Sequence, residues 1–193
     1  MNYPTAGDIE LHTERLVLRT IDDTFAARCL DYVVRNREFF SAWNPLVDET
    51  FYTLEFQAQK LRIERELLAQ DRVVRLWLFK KEDCAHERII GDLACSNIVR
   101  GAFQSCHLGY KIDGAAINRG YMTEALGRAI RFAFADMRLH RVEANIMPRN
   151  ARSIRVVEKL GFTNEGLSRK YLKIAGVWED HIHYVMLNTD EEA

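Results

Sequence analysis

The chain has 193 residues, 48% hydrophobic and 28% charged, with 27 basic against 28 acidic side chains and a formal net charge of −1. That is an ordinary globular balance, long enough for one domain with a sizeable core; it argues against non-specific nucleic-acid binding and leaves a local basic patch open. No stretch approaches the ~20 apolar residues needed to cross a bilayer, and Met1-Asn2-Tyr3-Pro4 lacks a basic start or apolar run, so a cytoplasmic protein is expected.

Leu11 to Ile21 alternates around Leu16, Val17 and Leu18 and reads as a first strand. Asp22 or Asp23 then caps a helix with Phe25, Ala26, Cys29, Leu30 and Val33 on one face. Phe39, Phe40 and Trp43 belong to a short helix within Asn36–Pro45, ended near the proline. A longer helix over Thr53–Gln70 presents Leu54, Ala58, Leu61, Glu64, Arg65 and Leu68. Three strands follow, Val73–Lys80, Ile89–Val99 and Phe103–Ile112, with hairpin-like breaks at Glu82–Glu87 and Arg100–Gly101, which suits an antiparallel meander. Helix Arg119–Met137 precedes strand Arg141–Met147, stopped by Pro148, and helix Ala151–Leu160 ends at a left-handed Gly161. The last two strands, Phe162–Ile174 and Val177–Leu187, turn at Gly176. No linker or repeat interrupts the chain, so one mixed α/β domain over 1–193 is expected, with its core at about 9–188 and a frayed polar tail after Asn188. Cys29, Cys84, Cys95 and Cys106 form no CxxC pair, which points to free thiols in a reducing compartment and to no metal site.

The segment Ile117-Asn118-Arg119-Gly120-Tyr121-Met122-Thr123-Glu124-Ala125 carries most of the functional information. Gly120 permits a tight turn, and the helix after it begins with unpaired N–H groups at the positive end of its dipole. Together they form a seat for a phosphate-bearing cofactor. A plain strand-to-helix turn is the competing reading, since one glycine is weaker than a multi-glycine fingerprint. In the second informative segment, Asn150 stands where a helix starts and suits an N-cap, with an amide that could also reach a ligand. Ser153 lies one turn further on, where it closes the helix start or points at a ligand atom.

Asn150–Phe162, closing with Leu160-Gly161-Phe162, resembles the second cofactor segment of the GNAT acyl-CoA N-acyltransferases, and Arg119-Gly120-Tyr121-Met122 resembles their pyrophosphate loop. Thr13-Glu14-Arg15-Leu16-Val17-Leu18-Arg19 is similar to the RimJ/RimL branch. Ser96–Gly101 with Leu108-Gly109-Tyr110, Ala144-Asn145 with Met147-Pro148, and Tyr171-Leu172 with Gly176–His181 resemble RimJ-type ribosomal-protein-alanine N-acetyltransferases. The resemblance implies an α/β (α+β) fold with a mostly antiparallel seven-stranded sheet, splayed between strands 4 and 5 and flanked by helices. It implies acetyl-CoA in the splay, its pantetheine arm on the backbone of Tyr110, Lys111 and Ile112, and its pyrophosphate on the amides from Ile117 through Asn118, Arg119, Gly120 and Tyr121 to Met122. Asn150 would also bind the cofactor.

Four positions depart from the family pattern. Ile117 stands where Gln or Arg is usual, and Met122 where Gly or Ala is usual. Asn145 occupies the site of a common glutamate base, and Val157 that of a common tyrosine acid, so that acid and base do not carry over. Ser153 is then the candidate to hydrogen-bond the coenzyme sulfur, and Asn145 the candidate to hold a water that receives the amine proton. An α-amino group has a pKa of about 7.7–8, so positioning can replace a strong base.

Other polar residues have plainer readings. Trp43 with Asn44 and Pro45 resembles a family segment near the acceptor groove, with packing the commoner role; Asp180 and Trp178 resemble a family pattern in the last hairpin, where an aspartate also suits a bond to neighbouring backbone. Asp48 and Glu49 read as solvated loop charges, His107 and His140 as lone histidines, and Phe39/Phe40 and Phe132/Phe134 as core. The resemblance implies acetyl transfer to a protein N-terminus, with the N-terminal alanine of a ribosomal protein as the leading acceptor. No membrane or direct nucleic-acid partner is implied, and monomer and homodimer both remain open. A small amine, an antibiotic or an amino-acid conjugate is the alternative acceptor, and a non-catalytic acetyl-CoA-binding module the alternative class.

Overall fold

Alternating apolar residues build one eight-stranded sheet in the order β1-β2-β3-β4-β5-β6-β8-β7. The structure, a computed structural model, describes residues 7–189; the opening Met1–Pro4 and the tail beyond residue 189 lie outside the described residues. The strands are β1 (Glu10–His12), β2 (Leu16–Arg19), β3 (Val74–Lys80), β4 (Gly91–Val99), β5 (Ser105–Ile112), β6 (Arg141–Ile146), β7 (Thr163–Ile174) and β8 (Val177–Leu187). The helices are α1 (Ala26–Arg35), α2 (Arg37–Ser41), α3 (Leu54–Ala69), α4 (Tyr121–Ala135) and α5 (Ala151–Leu160). The fold is mixed α/β and mostly antiparallel, as expected.

Each face of the sheet has its own core. Leu16, Leu18, Leu76, Leu78, Leu93, Cys106, Leu108, Val142 and Ala144 pack with Ala125, Leu126 and Ala129 of α4 and Val157 of α5. On the opposite face Trp77 and Phe79 pack with Cys29 and Tyr32 of α1 and Leu61 of α3. Each buried Leu contributes roughly 1.5–3 kcal/mol. Phe132 and Phe40 are buried as expected. On α3 the buried residues are Gln57, Leu61 and Leu68, whereas Leu54, expected inside, is 52% exposed. Gln57 can lie inside because its Nε2 donates to the Phe51 carbonyl at 2.6 Å.

The first expected strand is two. Leu11–Ile21 breaks at Thr13–Arg15 into the antiparallel pair β1–β2, with Leu11 opposite Leu18 and the Thr13 N–H on the Leu16 carbonyl at 3.0 Å. Glu124 of α4 pins that turn. Its carboxylate accepts from the Thr13 hydroxyl (2.6 Å), the Arg15 backbone N–H (2.8 Å) and the Arg15 guanidinium (2.7 Å). Apolar alternation runs through the turn, which hides it in the sequence. Counting β1–β2 as one strand gives the expected seven. Helix α4 likewise begins at Tyr121, two positions after the expected Arg119, because Gly120 is left-handed at φ 77°.

Strand β8 inserts between β6 and β7, so the long β7–β8 hairpin brings Val177–Leu187 into the sheet interior. The hairpin bulges between Ser168 and Leu172, where Lys170 has φ 48°. The Lys170 N–H is taken by Asp180 Oδ1 at 2.8 Å, the backbone role expected of that aspartate. All four cysteines are free, and only Cys84 is exposed. Among the described residues no helix is long and apolar enough to cross a membrane, and no cluster of His, Cys, Asp or Glu could hold a metal ion.

Burial works to raise the Glu124 pKa, but the Thr13 and Arg15 hydrogen bonds outweigh it and hold the carboxyl below its ordinary value. Stability from a depressed carboxyl is present above the unfolded pKa of about 4.3 and lost as pH falls through the folded value. Glu124→Gln is therefore expected to cost roughly 1–2 kcal/mol at pH 7 in urea unfolding. The difference from the parent chain should shrink below about pH 4.

Candidate active site

Among the described residues, strands β5 and β6 are the only parallel neighbours, and they stay together for three registers: Ser105 with Arg141, Cys106 with Val142, and His107 with Glu143. Beyond that point they part. β5 continues along β4 as far as Ile112 opposite Gly91, and β6 continues along β8 as far as Ile146 opposite Ile182. The two inner edges from Leu108 and from Ala144 onward therefore face a gap rather than a strand. A cavity of about 140 Å³ lies here, lined by Phe39, Trp43, Tyr110, Ile112, Asn150 and Ser153 among others. A second cavity of about 270 Å³ shares Ile112, Ile117, Met122 and Arg152 with the first and runs on to Asn118, Gly120 and Lys159.

The second cavity is floored by the start of α4. The first helical bond there is Glu124 N–H to the Gly120 carbonyl at 3.0 Å, so the N–H groups of Tyr121, Met122 and Thr123 precede the ladder. Both Asn118 (φ 59°) and Gly120 (φ 77°) are left-handed, which turns the loop sharply onto the helix. A Cβ at Gly120 would lie 3.4 Å from the Arg15 guanidinium. That guanidinium also donates to the Arg119 carbonyl at 3.0 Å and lies 4.6 Å from the Tyr121 ring centre. Met122, which departs from the small residue usual in the family, is 7% exposed, packs in the core and lines both cavities. Across the cavity, α5 turns Arg152, Arg155 and Lys159 toward it. This is the local basic patch left open by the composition, legible only as one helical face at three- and four-residue spacing.

Most of the expected residues converge. Tyr110, Ile112, Ile117, Met122, Asn150 and Ser153 surround the first cavity, and Asn118, Gly120 and Tyr121 the second. The Arg119 side chain lines a different cavity with Lys80 and Asp113. Lys111, alternating with its neighbours, borders the first cavity and reaches the Phe40 ring (5.7 Å) on the other face. Burial pushes its ammonium down in pKa, opposed by Asp92. Asn150 is the N-cap of α5, its Oδ1 accepting the Ser153 N–H at 3.2 Å. Phe39, expected in the core, lies only half-buried on the cavity wall.

Two groups escaped the sequence reading. The Ser153 hydroxyl donates to Tyr110 Oη at 2.6 Å, and Tyr110 Oη–H donates back to the Ser153 carbonyl at 3.1 Å. Burial pushes the Tyr110 phenol up to about 12, with the Ser153 hydroxyl working the other way, so it stays protonated. A tyrosine from β5 thus reaches the turn of α5 in which Val157 is fully buried. On the opposite face, Asn145 donates from Nδ2 to Tyr171 Oη at 3.3 Å and sits opposite His183. Glu143 accepts from Arg141 at 3.1 Å and lies 2.9 Å from His183 Nδ1. His107, read as lone, is 3.7 Å from Glu143 and 3.1 Å from Asn97 Nδ2. The signal available was the period-two run Arg141, Glu143, Asn145 on a strand whose alternate residues are buried.

The Acetyltransferase (GNAT) domain family matches residues 15–163. The chain belongs to the GNAT acetyltransferase family. GNAT acetyltransferases use acetyl-CoA as acyl donor, and the chain is an N-acetyltransferase of that class. It is 38% identical over 182 residues to the "Probable N-acetyltransferase YjcK" of Bacillus subtilis, covering 94% of this chain and 99% of that one. It is also 38% identical over 183 residues to the "[Ribosomal protein uS5]-alanine N-acetyltransferase" of Escherichia coli, covering 94% and 92%. The solved structure of a ribosomal-protein-S5-alanine acetyltransferase from Vibrio fischeri superposes with a TM-score of 0.88 at 34% identity, over 94% of this chain and 98% of that one.

The cap on α5 gives a direct test of how this GNAT site is held. Asn150→Ala should lower stability by about 1 kcal/mol in urea unfolding, and Asn150→Asp should recover most of it, because either Asn or Asp can accept the Ser153 N–H.

Proposed function

We propose that this GNAT enzyme acetylates the N-terminal amine of a protein, with an alanine terminus of a ribosomal protein as leading acceptor. The observation that carries this reading is a bridge across the gap on the acceptor side. The Ala175 N–H at the tip of the β7–β8 hairpin donates to the Asn44 carbonyl at 2.9 Å. Gly176 faces Leu46, which a Cβ would meet at 3.2 Å. Arg149, just before α5, donates to the Ala42 carbonyl (3.0 Å), pairs with Glu179 (2.9 Å) and lies 4.9 Å from the Trp43 ring centre. A chain can enter beneath such a strap by its end more easily than by a loop, which selects a terminus. The alanine-terminal specificity of the E. coli relative points the same way.

The residues present fit acetyl-CoA. The inner edge of β5 offers the N–H and C=O groups that a peptide-like pantetheine arm would pair with. The Ile117–Met122 loop and the first amides of α4 offer donors for a pyrophosphate, and Arg152, Arg155 and Lys159 offer positive charge beside it. In the reaction the amine nitrogen bonds to the thioester carbonyl carbon, the carbon–sulfur bond breaks, and sulfur leaves with the electron pair. Ser153 orients the sulfur, and the Tyr110–Ser153 pair supplies the proton that Val157 has no means to give. Asn145 positions the incoming amine or its water.

One observation favours a smaller acceptor. A cavity of about 330 Å³ floored by Asp92 and walled by Tyr32 and Trp77 shares Phe40 and Lys111 with the gap, and it could house a small amine. Rates on an alanine-terminated peptide, the same peptide with a blocked terminus and an internal lysine, and a panel of small amines separate the readings. The free terminus should exceed the blocked peptide at least tenfold in kcat/KM. Equal rates on the blocked peptide, or preference for a small amine, would overturn the N-terminal reading. Tyr110→Phe should lower kcat about tenfold while leaving acetyl-CoA affinity within about threefold.

A further inference from the structure

The acceptor-side face of the parted strands carries an acid–imidazole pair, Glu143 with His183. Glu143 stands at the last register before β5 and β6 separate, and Asn145 and His183 face each other one step beyond it. Were the ladder to continue, Gly109 of β5 would stand opposite Asn145; a Cβ there would meet nothing within 4 Å, so this level of the gap has room. His183 Nδ1 lies 2.9 Å from Glu143 Oε1, while Arg141 holds Oε2 at 3.1 Å. Burial tends to raise the Glu143 pKa, but hydrogen bonds from Arg141, Asn145 and His183 outweigh it and keep the carboxylate ionised. An ionised carboxylate only accepts, so Nδ1 must carry the hydrogen and, in a neutral ring, Nε2 carries the lone pair. That Nε2 is buried and has no hydrogen-bond partner among the described residues, and the same holds for Asn145 Oδ1. The side chain of Glu143 is 12% exposed and that of His183 21%, so the ring lies on the outer side of the carboxylate.

We propose that His183 is a catalytic base of this enzyme, its Nε2 taking the proton from the attacking amine directly or through a water held by Asn145 Oδ1, with Glu143 as the positioning residue that fixes the ring's tautomer. This deepens the N-acetyltransferase reading above and rests on it. One proton leaves the amine as the carbon–nitrogen bond forms and goes to Nε2; one proton reaches the departing sulfur from the Tyr110–Ser153 pair; His183 then returns its proton to solvent, and the Tyr110–Ser153 pair regains one from solvent. Tyr171 covers the pair, its ring 4.9 Å from that of His183 and 5.5 Å from that of His181, and its hydroxyl on Asn145 Nδ2. The other charged or titratable groups around the ring are His107 on β5, Arg141 on β6, Glu165 on β7 and His181 on β8. Arg141 is shared between Glu143 and Glu165, so one guanidinium faces two carboxylates.

The test uses the whole chain with acetyl-CoA and the acceptor peptide, and compares the parent with His183→Ala, His183→Gln and Glu143→Gln. Both His183 variants should lose at least tenfold in kcat, with KM for acetyl-CoA within about twofold. The acidic limb of the parent's kcat/KM profile should vanish in His183→Ala, and Glu143→Gln should lower kcat with KM for acetyl-CoA unchanged. Nitrogen-15 NMR of the parent should show neutral His183 protonated on Nδ1. A His183→Ala enzyme that keeps its rate and acidic limb, or a neutral ring protonated on Nε2, overturns the assignment and leaves the acetyltransferase reading standing. A parent chain that acetylates no amine sinks both.

Discussion

Three registers of parallel pairing between β5 and β6, and their sudden end, are the constraint on which this molecule depends. Each strand is anchored on its outer side, β5 by β4 and β6 by β8, so the inner edges stay straight where they part. Their divergence has identifiable causes at both ends. The end of β5 is tied toward α1: Asn36 Oδ1 accepts the Gly114 N–H at 2.9 Å, and Arg35 pairs with Asp113 at 3.0 Å. Burial would raise the Asp113 pKa, but the Ala115 N–H and Arg35 outweigh it and keep the carboxylate charged. The end of β6 is drawn the other way, through Met147 and Pro148 into the Asn150 cap of α5. Unpaired backbone groups left between them are costly unless something pairs with them, which is why such a gap belongs to a ligand.

The gap also separates two kinds of chemistry by the pleat of its walls. On one face Tyr110 meets Ser153 beside the loop of Gly120 and the basic face of α5, an environment suited to sulfur and phosphate. On the other, Glu143, Asn145 and His183 form a polar, partly buried surface suited to an amine. Tyr110 follows Gly109, the β5 residue level with Asn145 were the pairing to continue, so the period-two alternation of strand side chains sends it to the face opposite Asn145. A narrow fold can thereby hold donor and acceptor without either blocking the other.

Much of this was legible in the chain, and what was not shares one cause. Gly120, Asn150 and Gly161 announce themselves locally, through backbone conformations that few residues tolerate and caps that few side chains make. The alternation of β3–β6 gave the meander and the strand after α4. The break at Thr13–Arg15 was invisible because what stabilises it, Glu124, lies 109 residues away from Arg15. The same holds for Tyr110 with Ser153, 43 apart, and for His183 with Glu143, 40 apart. His107 looked solitary because its partners arrive from β4 and β6. Local pattern reveals which elements exist; convergence of side chains across strands needs the register.

The position of β8 has a bearing on how the molecule is made. Strand β8, which follows β7 in the chain, is not an edge but stands wedged between β6 and β7. Until Val177–Leu187 has left the ribosome, β6 is held to the sheet by its three registers with β5 alone, and β7 has no place to pair. Everything through Leu187 must therefore be released before the amine-facing wall can assemble, and a chain cut short within β8 would keep its phosphate loop yet lack the surface opposite it.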